Sequence, residues 1–229
     1  MPDDIDIGEQ YNKIAVRFDT SRKRIWNNVK KFLLNSDINI KEKLLDAGCG
    51  NGKNSLYAMS NNYEVTGIDI SNNLLEICLK KGINVYYKNI IELEINDQYD
   101  KCICIAVIHH INSIELQCDA IVRMINSLKY KGELLISIWS YEKCNILSIN
   151  DNEDNMLKNE NDYRDFEIGH NYIDWKLEGI SNEIVKRYYY IHDYNSFKNL
   201  IEMVKNIINI EYIITWEKQN WFCKISKII

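Results

Sequence analysis

The chain has 229 residues, a formal net charge of −5 at pH 7 and seven cysteines without paired spacing. This length fits one large domain, and an apolar fraction of 46% is ample for a packed core. The charge argues against general attraction to nucleic acid, no apolar run reaches the roughly 18 residues of a membrane span, and the acidic opening is unlike a signal peptide. The cysteine pattern is typical of reduced thiols in an intracellular compartment, and we expect the protein in the cytoplasm and also in the nucleus.

Apolar spacing predicts two helices within residues 9–34, followed by alternating strands and helices. The predicted strands cover residues 43–48, 64–69, 83–87, 100–107 and 133–139, and the predicted helices between them begin near residue 52 and cover 72–81 and 113–128. Strands and helices that alternate at these lengths are typical of a parallel sheet that is covered on both faces.

The rest of the chain departs from this alternation. Residues 142–184 are polar, acidic and rich in asparagine, which indicates an insertion that is either a lid or substrate loop or a disordered decoration. Residues 210–216 and 220–228 resemble two strands joined by a three-residue turn, so they should form an antiparallel hairpin. We therefore expect a single α/β domain over residues 1–229, with a seven-stranded, mostly parallel sheet, helices on both faces and an antiparallel C-terminal hairpin strand.

The most informative stretch follows the first predicted strand, where Asp46 precedes three glycines at alternate positions, Gly48, Gly50 and Gly52. Glycine permits positive φ and lets the backbone approach a ligand closely. A strand that ends in such a turn, with a helix behind it, is a nucleotide-binding device. The spacing Asp-x-Gly-x-Gly-x-Gly differs from the dinucleotide fingerprint Gly-x-Gly-x-x-Gly. It resembles the first motif of the class I S-adenosylmethionine-dependent methyltransferases.

A second acidic position strengthens this interpretation. Asp69 ends the second predicted strand, 17 positions after Gly52, close to the offset of about 20 residues at which a carboxylate binds ribose hydroxyls. Ser71 then stands where a helix N-cap belongs. The alternative is an ordinary strand-to-helix turn without a ligand. A parallel sheet that finishes in an antiparallel hairpin is the Rossmann-like arrangement of methyltransferases and not that of dehydrogenases.

Five short motifs resemble those of the eukaryotic tRNA wobble-uridine carboxymethyl methyltransferases. They are Tyr-Asn-Lys-Ile-Ala at 11–15 with Phe18, Arg22 and Trp26, Asp-Ala-Gly-Cys-Gly-Asn-Gly-Lys at 46–53, Ile-Ala-Val-Ile-His-His at 105–110, Arg-Tyr-Tyr at 187–189 and Asn-Trp-Phe at 220–222. The motifs extend over nearly the whole chain apart from the insertion. This family methylates the carboxylate of 5-carboxymethyluridine at tRNA position 34 and forms the methyl ester.

The resemblance implies three binding partners. S-adenosylmethionine is the implied cofactor and the tRNA anticodon loop the implied substrate. The third partner is a small zinc-binding activator protein, which forms a heterodimer by pairing with an exposed sheet edge. A third strand whose Ile83, Val85 and Tyr87 are left uncovered would agree with that partner.

The resemblance also implies a set of cofactor-binding residues. They are Asp46, Gly48, Cys49, Gly50, Asp69, Ile70, Asn89, Ile90, Ile105 and Ala106. Asp46 should orient the loop near the methionine amino group, and Asp69 should accept hydrogen bonds from both ribose hydroxyls. Asn89 stands where the family usually has an aspartate at the adenine contact, but its amide oxygen can still accept from the N6 amine.

Five residues are candidates for the substrate side and for catalysis. His109 and His110 follow the fourth strand at the carboxyl edge of the sheet, where α/β proteins bind ligands; alternatively, one caps the next helix and the other is exposed. Arg22 and Arg187 are candidates to hold a carboxylate or phosphate, since guanidinium groups match both; the alternative is a structural ion pair. Tyr188 could stack on a base or belong to the core.

The implied reaction needs little from the protein. A carboxylate is an anionic nucleophile at pH 7, so no general base is required, and the protein must only align the reactants and exclude water. We expect no metal site, because Cys102 and Cys104 alternate on an apolar strand where core packing is the simpler explanation. Two alternatives remain: a class I methyltransferase that acts on a small-molecule acid or a protein, and a catalytically silent cofactor-binding subunit.

Overall fold

The computed structural model describes residues 6–34, 39–94, 98–143, 165–176 and 184–228. The helices are α1 (Ile7–Ser21), α2 (Asn27–Leu33), α3 (Lys53–Ser60), α4 (Asn72–Lys80), α5 (Ile114–Asn126) and α6 (Tyr194–Lys205). The strands are β1 (Lys43–Ala47), β2 (Glu64–Asp69), β3 (Asn84–Tyr87), β4 (Tyr99–Ile105), β5 (Leu128–Trp139), β6 (Gly169–Lys176), β7 (Ile184–Ile191), β8 (Ile210–Trp216) and β9 (Asn220–Lys227).

Seven strands form the central sheet in the order β3-β2-β1-β4-β5-β9-β8. Strands β1 to β5 pair in parallel, and β9 is antiparallel to both of its neighbours, β5 and β8. The expected class I methyltransferase sheet with a C-terminal antiparallel hairpin is therefore confirmed. Within the described residues, no helix combines the length and apolar character needed to cross a membrane.

Both faces of the sheet are buried, as a parallel sheet requires. Consecutive residues of β1, Leu44 and Leu45, are fully buried in two different core clusters on opposite faces. Helices α5 and α6 contribute to the cluster of Leu45, and α2 and α3 contribute to that of Leu44. Cys102 and Cys104 are also fully buried in the first cluster, which confirms their expected core packing.

Several predicted boundaries were wrong by a few residues, and two have a clear cause. Leu128 was placed at the end of a helix because of its apolar spacing, but it pairs with Tyr99 and starts β5, while the helix ends at Asn126. Strand β4 was expected to continue to Val107. It ends at Ile105 because the next residue, Ala106, has a φ of +61° and leaves the extended conformation.

The expected exposure of the third strand was only partly correct. Strand β3 does lie at an edge of the sheet, and Tyr87 is 62% exposed. Ile83, however, is buried beside α4 and precedes the strand, and Val85 packs against the same small cluster as a half-buried residue. The exposed apolar surface of this edge therefore consists of Tyr86 and Tyr87.

A two-stranded ribbon outside the central sheet was not predicted. Strands β6 and β7 pair in antiparallel register from Gly169–Ile191 to Lys176–Ile184, so part of the expected insertion 142–184 is a regular strand. Residues 144–164 and 177–183 of that insertion lie outside the described residues. The ribbon packs on α1, where Ile14 and Val185 share one buried cluster. It thereby brings the Arg-Tyr-Tyr motif next to the N-terminal helix.

Two glycines with similar backbone geometry provide a test of the loop after β1. Gly52 and Gly82 have φ values of +75° and +77°, but a Cβ at Gly52 would lie 2.3 Å from the Cδ1 of Ile83, whereas a Cβ at Gly82 would have nothing within 4 Å. We expect Gly82→Ala to lower the free energy of unfolding by about 1 kcal/mol through backbone strain. Gly52→Ala should lower it by roughly 3 kcal/mol because the steric clash is added. Urea denaturation measures both, and equal losses would contradict the packing at Gly52.

Candidate cofactor and substrate site

A cavity of about 580 Å³ opens at the carboxyl edge of the parallel strands, where ligands bind in open α/β sheets. Its size is in the range of small-molecule and cofactor sites. All but one of the predicted site residues line it. They are Arg22, Gly48, Cys49, Gly50, Asp69, Ile70, Asn89, Ile90, Ile105, Ala106, His109, His110, Arg187 and Tyr188.

The glycine loop is bound to the end of β2. The amides of Gly48 and Cys49 donate to the carbonyl oxygen of Ile68 at 2.8 and 2.9 Å. Gly48 has a φ of +77°, and a Cβ there would lie 2.4 Å from a methyl group of Val107. Only glycine fits this position, and the loop therefore exposes backbone instead of side chains to the cavity. This surface suits a ligand that approaches the backbone closely.

Asp69 connects the loop to the next helix. One carboxylate oxygen accepts from the Gly50 amide at 2.8 Å, and the other accepts from the Ser71 amide at 2.9 Å. Desolvation raises the pKa of Asp69, while these backbone hydrogen bonds oppose the rise. Each oxygen keeps a further lone pair, so the carboxylate can still accept from two vicinal hydroxyls. The residues present therefore fit the ribose of a nucleoside cofactor, and the role predicted for Asp69 remains a prediction.

Asp46 is the predicted site residue that does not line the cavity. It is 1% exposed and lies beneath the loop, where its carboxylate accepts from the hydroxyl of Ser55 on α3 at 2.6 Å. Burial raises the pKa of Asp46 to about 7; the negative charge of Asp69 adds to the rise, and the hydrogen bond from Ser55 opposes it. Its carboxyl therefore supports the loop from below. A role near the methionine amino group remains a prediction.

The predicted adenine end of the cavity is built on a short 3-10 turn, Ile90–Glu92. Asn89 caps this turn, and its side-chain oxygen accepts from the Ile91 amide at 3.3 Å. The second lone pair of that oxygen remains for an amine donor. Ile70 and Ile90 contribute apolar surface to the same cavity. This arrangement is compatible with a flat heterocycle, as the resemblance implies.

His110 follows β4, connects α1 to β7 and is neutral at pH 7. Its Nδ1 lies 2.7 Å from the carbonyl oxygen of Tyr188 and must donate, so its Nε2 accepts from the Tyr11 hydroxyl at 2.9 Å. Burial lowers the pKa of His110 to about 4 against the effect of the Tyr188 carbonyl, and the charge of Arg187 lowers it further. With both nitrogens engaged, this histidine holds α1 and β7 together.

His109 is also engaged in the structure. It is 1% exposed, and its Nδ1 accepts from the Trp139 amide at 3.2 Å. Ser113 caps α5, with its hydroxyl accepting from the Leu116 amide. The alternative in which one histidine caps that helix and the other is exposed is therefore wrong.

Strand alternation separates the two tyrosines of the Arg-Tyr-Tyr motif. Tyr189 shares one ribbon face with Arg187, and its ring stacks on Trp139 at 4.5 Å with an interplanar angle of 18°. Tyr188 lies on the other face, where its hydroxyl is 2.7 Å from Nδ1 of His170. Sequence reasoning missed Trp139, although its place at the carboxyl end of β5 could have identified it.

Arg187 is a buried cation in the cavity wall. It is 5% exposed, its Nη1 donates to the Tyr189 hydroxyl at 2.5 Å, and its Nε has no hydrogen-bond partner. Its guanidinium carbon lies 4.5 Å from the centroid of the Trp175 ring, and that of Arg22 lies 5.0 Å from the same ring. In the part of the chain that the structure describes, neither arginine pairs with a carboxylate. The structural ion pair considered as an alternative is therefore not found among these residues.

Nothing in the described ranges groups three or more His, Cys, Asp or Glu side chains in a way that could hold a metal ion. The candidate site is thus a cavity with the carboxylate of Asp69 at the end of β2, that of Asp46 beneath the loop, and two arginines beside the ribbon. Such a distribution suits a ligand, or a pair of ligands, that carries charges of both signs.

The raised pKa of Asp46 predicts a pH-dependent stability. Because its folded value of about 7 exceeds the unfolded value of about 4, the folded state binds more protons, and this group reduces stability as pH rises through that window. Asp46→Asn removes the dependence. In chemical denaturation, the free energy of unfolding of the variant minus that of the wild type should rise by about 2–3 kcal/mol from pH 5 to pH 8.

The control for this prediction is Asp19→Asn. The hydrogen bond from Lys81 lowers the pKa of Asp19, so this carboxylate is ionised throughout the same pH range in both states. Its stability difference should therefore stay constant between pH 5 and pH 8. A constant difference for Asp46→Asn as well would show that Asp46 does not titrate there.

Comparison with known proteins agrees with this geometry. Residues 45–136 match the methyltransferase domain family. A tRNA (carboxymethyluridine(34)-5-O)-methyltransferase of Arabidopsis thaliana is 33% identical over 134 residues, which cover 58% of this chain and 32% of that protein. The Saccharomyces cerevisiae protein of the same name is 30% identical, with 58% and 47% covered. The chain thus covers less than two thirds of the length of these relatives.

Solved structures share the fold at low sequence identity. An S-adenosylmethionine-dependent methyltransferase from Clostridium acetobutylicum superposes with a TM-score of 0.63 at 14% identity and covers 95% of this chain and 98% of that one. The DhpI-SAM-HEP complex gives 0.68 at 10% identity, with 95% and 94% covered. The methyltransferase domain match is consistent with S-adenosylmethionine as the cofactor, and the solved structures show the shared fold. Residues 45–136 thus match a methyltransferase domain, the chain has the fold of these methyltransferases, and its relatives confirm the resemblance to the tRNA carboxymethyluridine enzymes.

Proposed function

We propose that the chain methylates the carboxylate of 5-carboxymethyluridine at tRNA position 34 and forms 5-methoxycarbonylmethyluridine. The observation that carries this proposal is Arg187, a buried guanidinium in the cavity wall whose Nε has no partner. A buried charge requires compensation, and a guanidinium fork matches a carboxylate. The names of the relatives support the same substrate.

The state of the histidines agrees with a reaction that needs no general base. When bound, S-adenosylmethionine supplies a methyl group on a positively charged sulfur. The uridine carboxylate, already an anion, would accept this methyl group and a neutral thioether would be left, so no residue of this chain would have to take up a proton. His110 is held neutral with both nitrogens hydrogen-bonded, so it orients α1 and β7 and does not act as a base.

The remaining work of the site is alignment and exclusion of water. Ile105 at the end of β4 and the following residue, Ala106, lie in the cavity wall. The half-buried Trp139 lines the cavity with its ring stacked on the buried Tyr189, and such an aromatic surface suits an unstacked base. We assign the uridine ring to this side of the cavity and its carboxylate to Arg187 and Arg22.

We further propose that a small zinc-binding activator protein pairs with strand β3. This strand lies at an edge of the central sheet, and an open edge can accept a strand from another protein. Tyr86 and Tyr87 are 57% and 62% exposed on this edge. Their aromatic surface is available to pack against such a partner.

The direct test is transfer of labelled methyl from S-adenosylmethionine to tRNA that carries 5-carboxymethyluridine at position 34, with and without the activator. We expect a base-labile methyl ester on the modified tRNA and none on unmodified tRNA of the same sequence. Because the unmodified uridine lacks the carboxylate nucleophile, it is a matched negative control. Equal labelling of both tRNAs, or labelling only of a small acid without tRNA, would overturn the proposal.

Arg187→Gln should separate substrate recognition from cofactor binding. Loss of a buried guanidinium that pairs with a carboxylate should lower kcat/KM for the modified tRNA by about 100-fold, while cofactor affinity measured by calorimetry stays unchanged. Asp69→Ala, in contrast, should abolish cofactor binding. Arg123→Gln, which removes a guanidinium paired with Asp119 on α5, is the control and should leave both values unchanged. Unaltered methylation by Arg187→Gln would refute the role of this residue.

A further inference from the structure

Trp175 is a side chain of the ribbon that sequence reasoning left without a role. It lies on β6 directly opposite Val185 of β7, so it shares a ribbon face with Val185 and with Arg187 two residues farther along. This face packs on α1, where Trp175 joins the cluster of Ile14 and Val185 and its ring lies 6.5 Å from that of Phe18. The ring is therefore fixed between the ribbon and the N-terminal helix.

Both arginines of the site lie against this one ring. The guanidinium carbon of Arg187 is 4.5 Å from the ring centroid, and that of Arg22 is 5.0 Å from it. Both distances are within the range of cation–π attraction. Arg22 and Arg187 line the cavity. Trp175, which lies on β6 and packs on α1, contacts both arginines.

Arg187 also contacts the hydroxyl and the ring of Tyr189, so the contribution of Trp175 is to keep Arg22 beside it. Like charges repel, and neither arginine pairs with a carboxylate in the described residues. Arg22 is exposed at the C-terminal end of α1, so its long side chain is otherwise free to turn toward water. The electron-rich face of the indole lowers the free energy of both guanidinium groups near the cavity.

The indole nitrogen provides a way to examine this contact. The Nε1 of Trp175 is buried and makes no hydrogen bond, so replacement by phenylalanine breaks no hydrogen bond and keeps an aromatic face. Replacement by leucine keeps apolar volume but removes the π system. These two variants therefore separate cation–π attraction from simple packing.

We propose that Trp175 is a positioning residue that holds Arg22 and Arg187 together as a two-guanidinium receptor for the carboxylate of the modified uridine. This inference rests on the proposed function and deepens it. Trp175 acts through the arginines and makes the protein discriminate between a uridine that carries a carboxylate and one that does not.

The test uses the full chain with Trp175→Leu and Trp175→Phe. We expect Trp175→Leu to raise KM for the modified tRNA about tenfold, since two cation–π contacts are lost, with kcat and cofactor affinity nearly unchanged. Trp175→Phe should return KM to within about threefold of the wild type because phenylalanine keeps a π face. Trp216→Leu on β8, where the indole nitrogen is likewise buried without a partner, is the control and should not change KM.

Binding measurements separate the two proposals. The wild type should bind tRNA with 5-carboxymethyluridine more tightly than unmodified tRNA, Trp175→Leu should lose that preference, and Trp175→Phe should keep it. If the wild type shows no preference and no methyl transfer, the proposed function fails. If the wild type prefers the modified tRNA and Trp175→Leu prefers it equally, the role of Trp175 is overturned. A parallel loss of cofactor binding in both variants would also overturn it, because that would indicate a purely structural role.

Discussion

The hydrogen bonds between the glycine loop and the end of β2 are the constraint on which the site depends. The amides of Gly48 and Cys49 donate to Ile68, and the amide of Gly50 donates to Asp69. These bonds require positive φ at the glycines, which no side chain tolerates at Gly48 without meeting Val107. They bring the carboxyl ends of adjacent parallel strands into one fixed turn. The cavity, the start of α3 and the position of the Asp69 carboxylate all follow from that turn.

The opposite wall of the cavity is built by different means. The β6–β7 ribbon is outside the central sheet, and it is held by packing on α1 and by His110, which bonds to the Tyr188 carbonyl and the Tyr11 hydroxyl. Loss of either bond would leave a buried polar group without a partner, which costs about 1–3 kcal/mol. The neutral histidine is thus a structural bridge, and burial keeps its pKa near 4.

The two walls differ in how well the sequence predicts them. The loop after β1 and the hairpin of β8 and β9 depend on local features, a run of glycines and a three-residue connection, and both were predicted. Strand β6 was not, because its outward positions include His170, Tyr172 and Asp174, so that no apolar alternation is visible. Its inward residue Trp175 packs on Phe18, more than 150 positions earlier in the chain. Contacts of this separation leave no local pattern in the sequence.

The alternation of side chains along a strand explains where the individual site residues lie. Asp46 belongs to the glycine motif and was assigned to the cofactor with it, but a strand places alternate side chains on opposite sides, and the carboxyl of Asp46 points to Ser55 beneath the loop. Likewise, Arg187 and Tyr189 share one face of β7, while Tyr188 between them faces His170. A motif identifies which residues are near a site, and the strand period decides which of them face it.

The electrostatics of the two walls are complementary to the charges of the proposed ligands. Burial raises the pKa of Asp46 to about 7 and also raises that of Asp69, so the β1–β2 wall gains from a nearby positive charge that favours the ionised carboxylates. Arg187 on the ribbon wall is a buried cation that gains from a negative one. Under the proposed function a cationic methyl donor meets the first wall and an anionic uridine the second. Each ligand then compensates a buried or desolvated charge of the protein. The reaction neutralises both ligand charges at once, and this lowers the affinity of the site for its products.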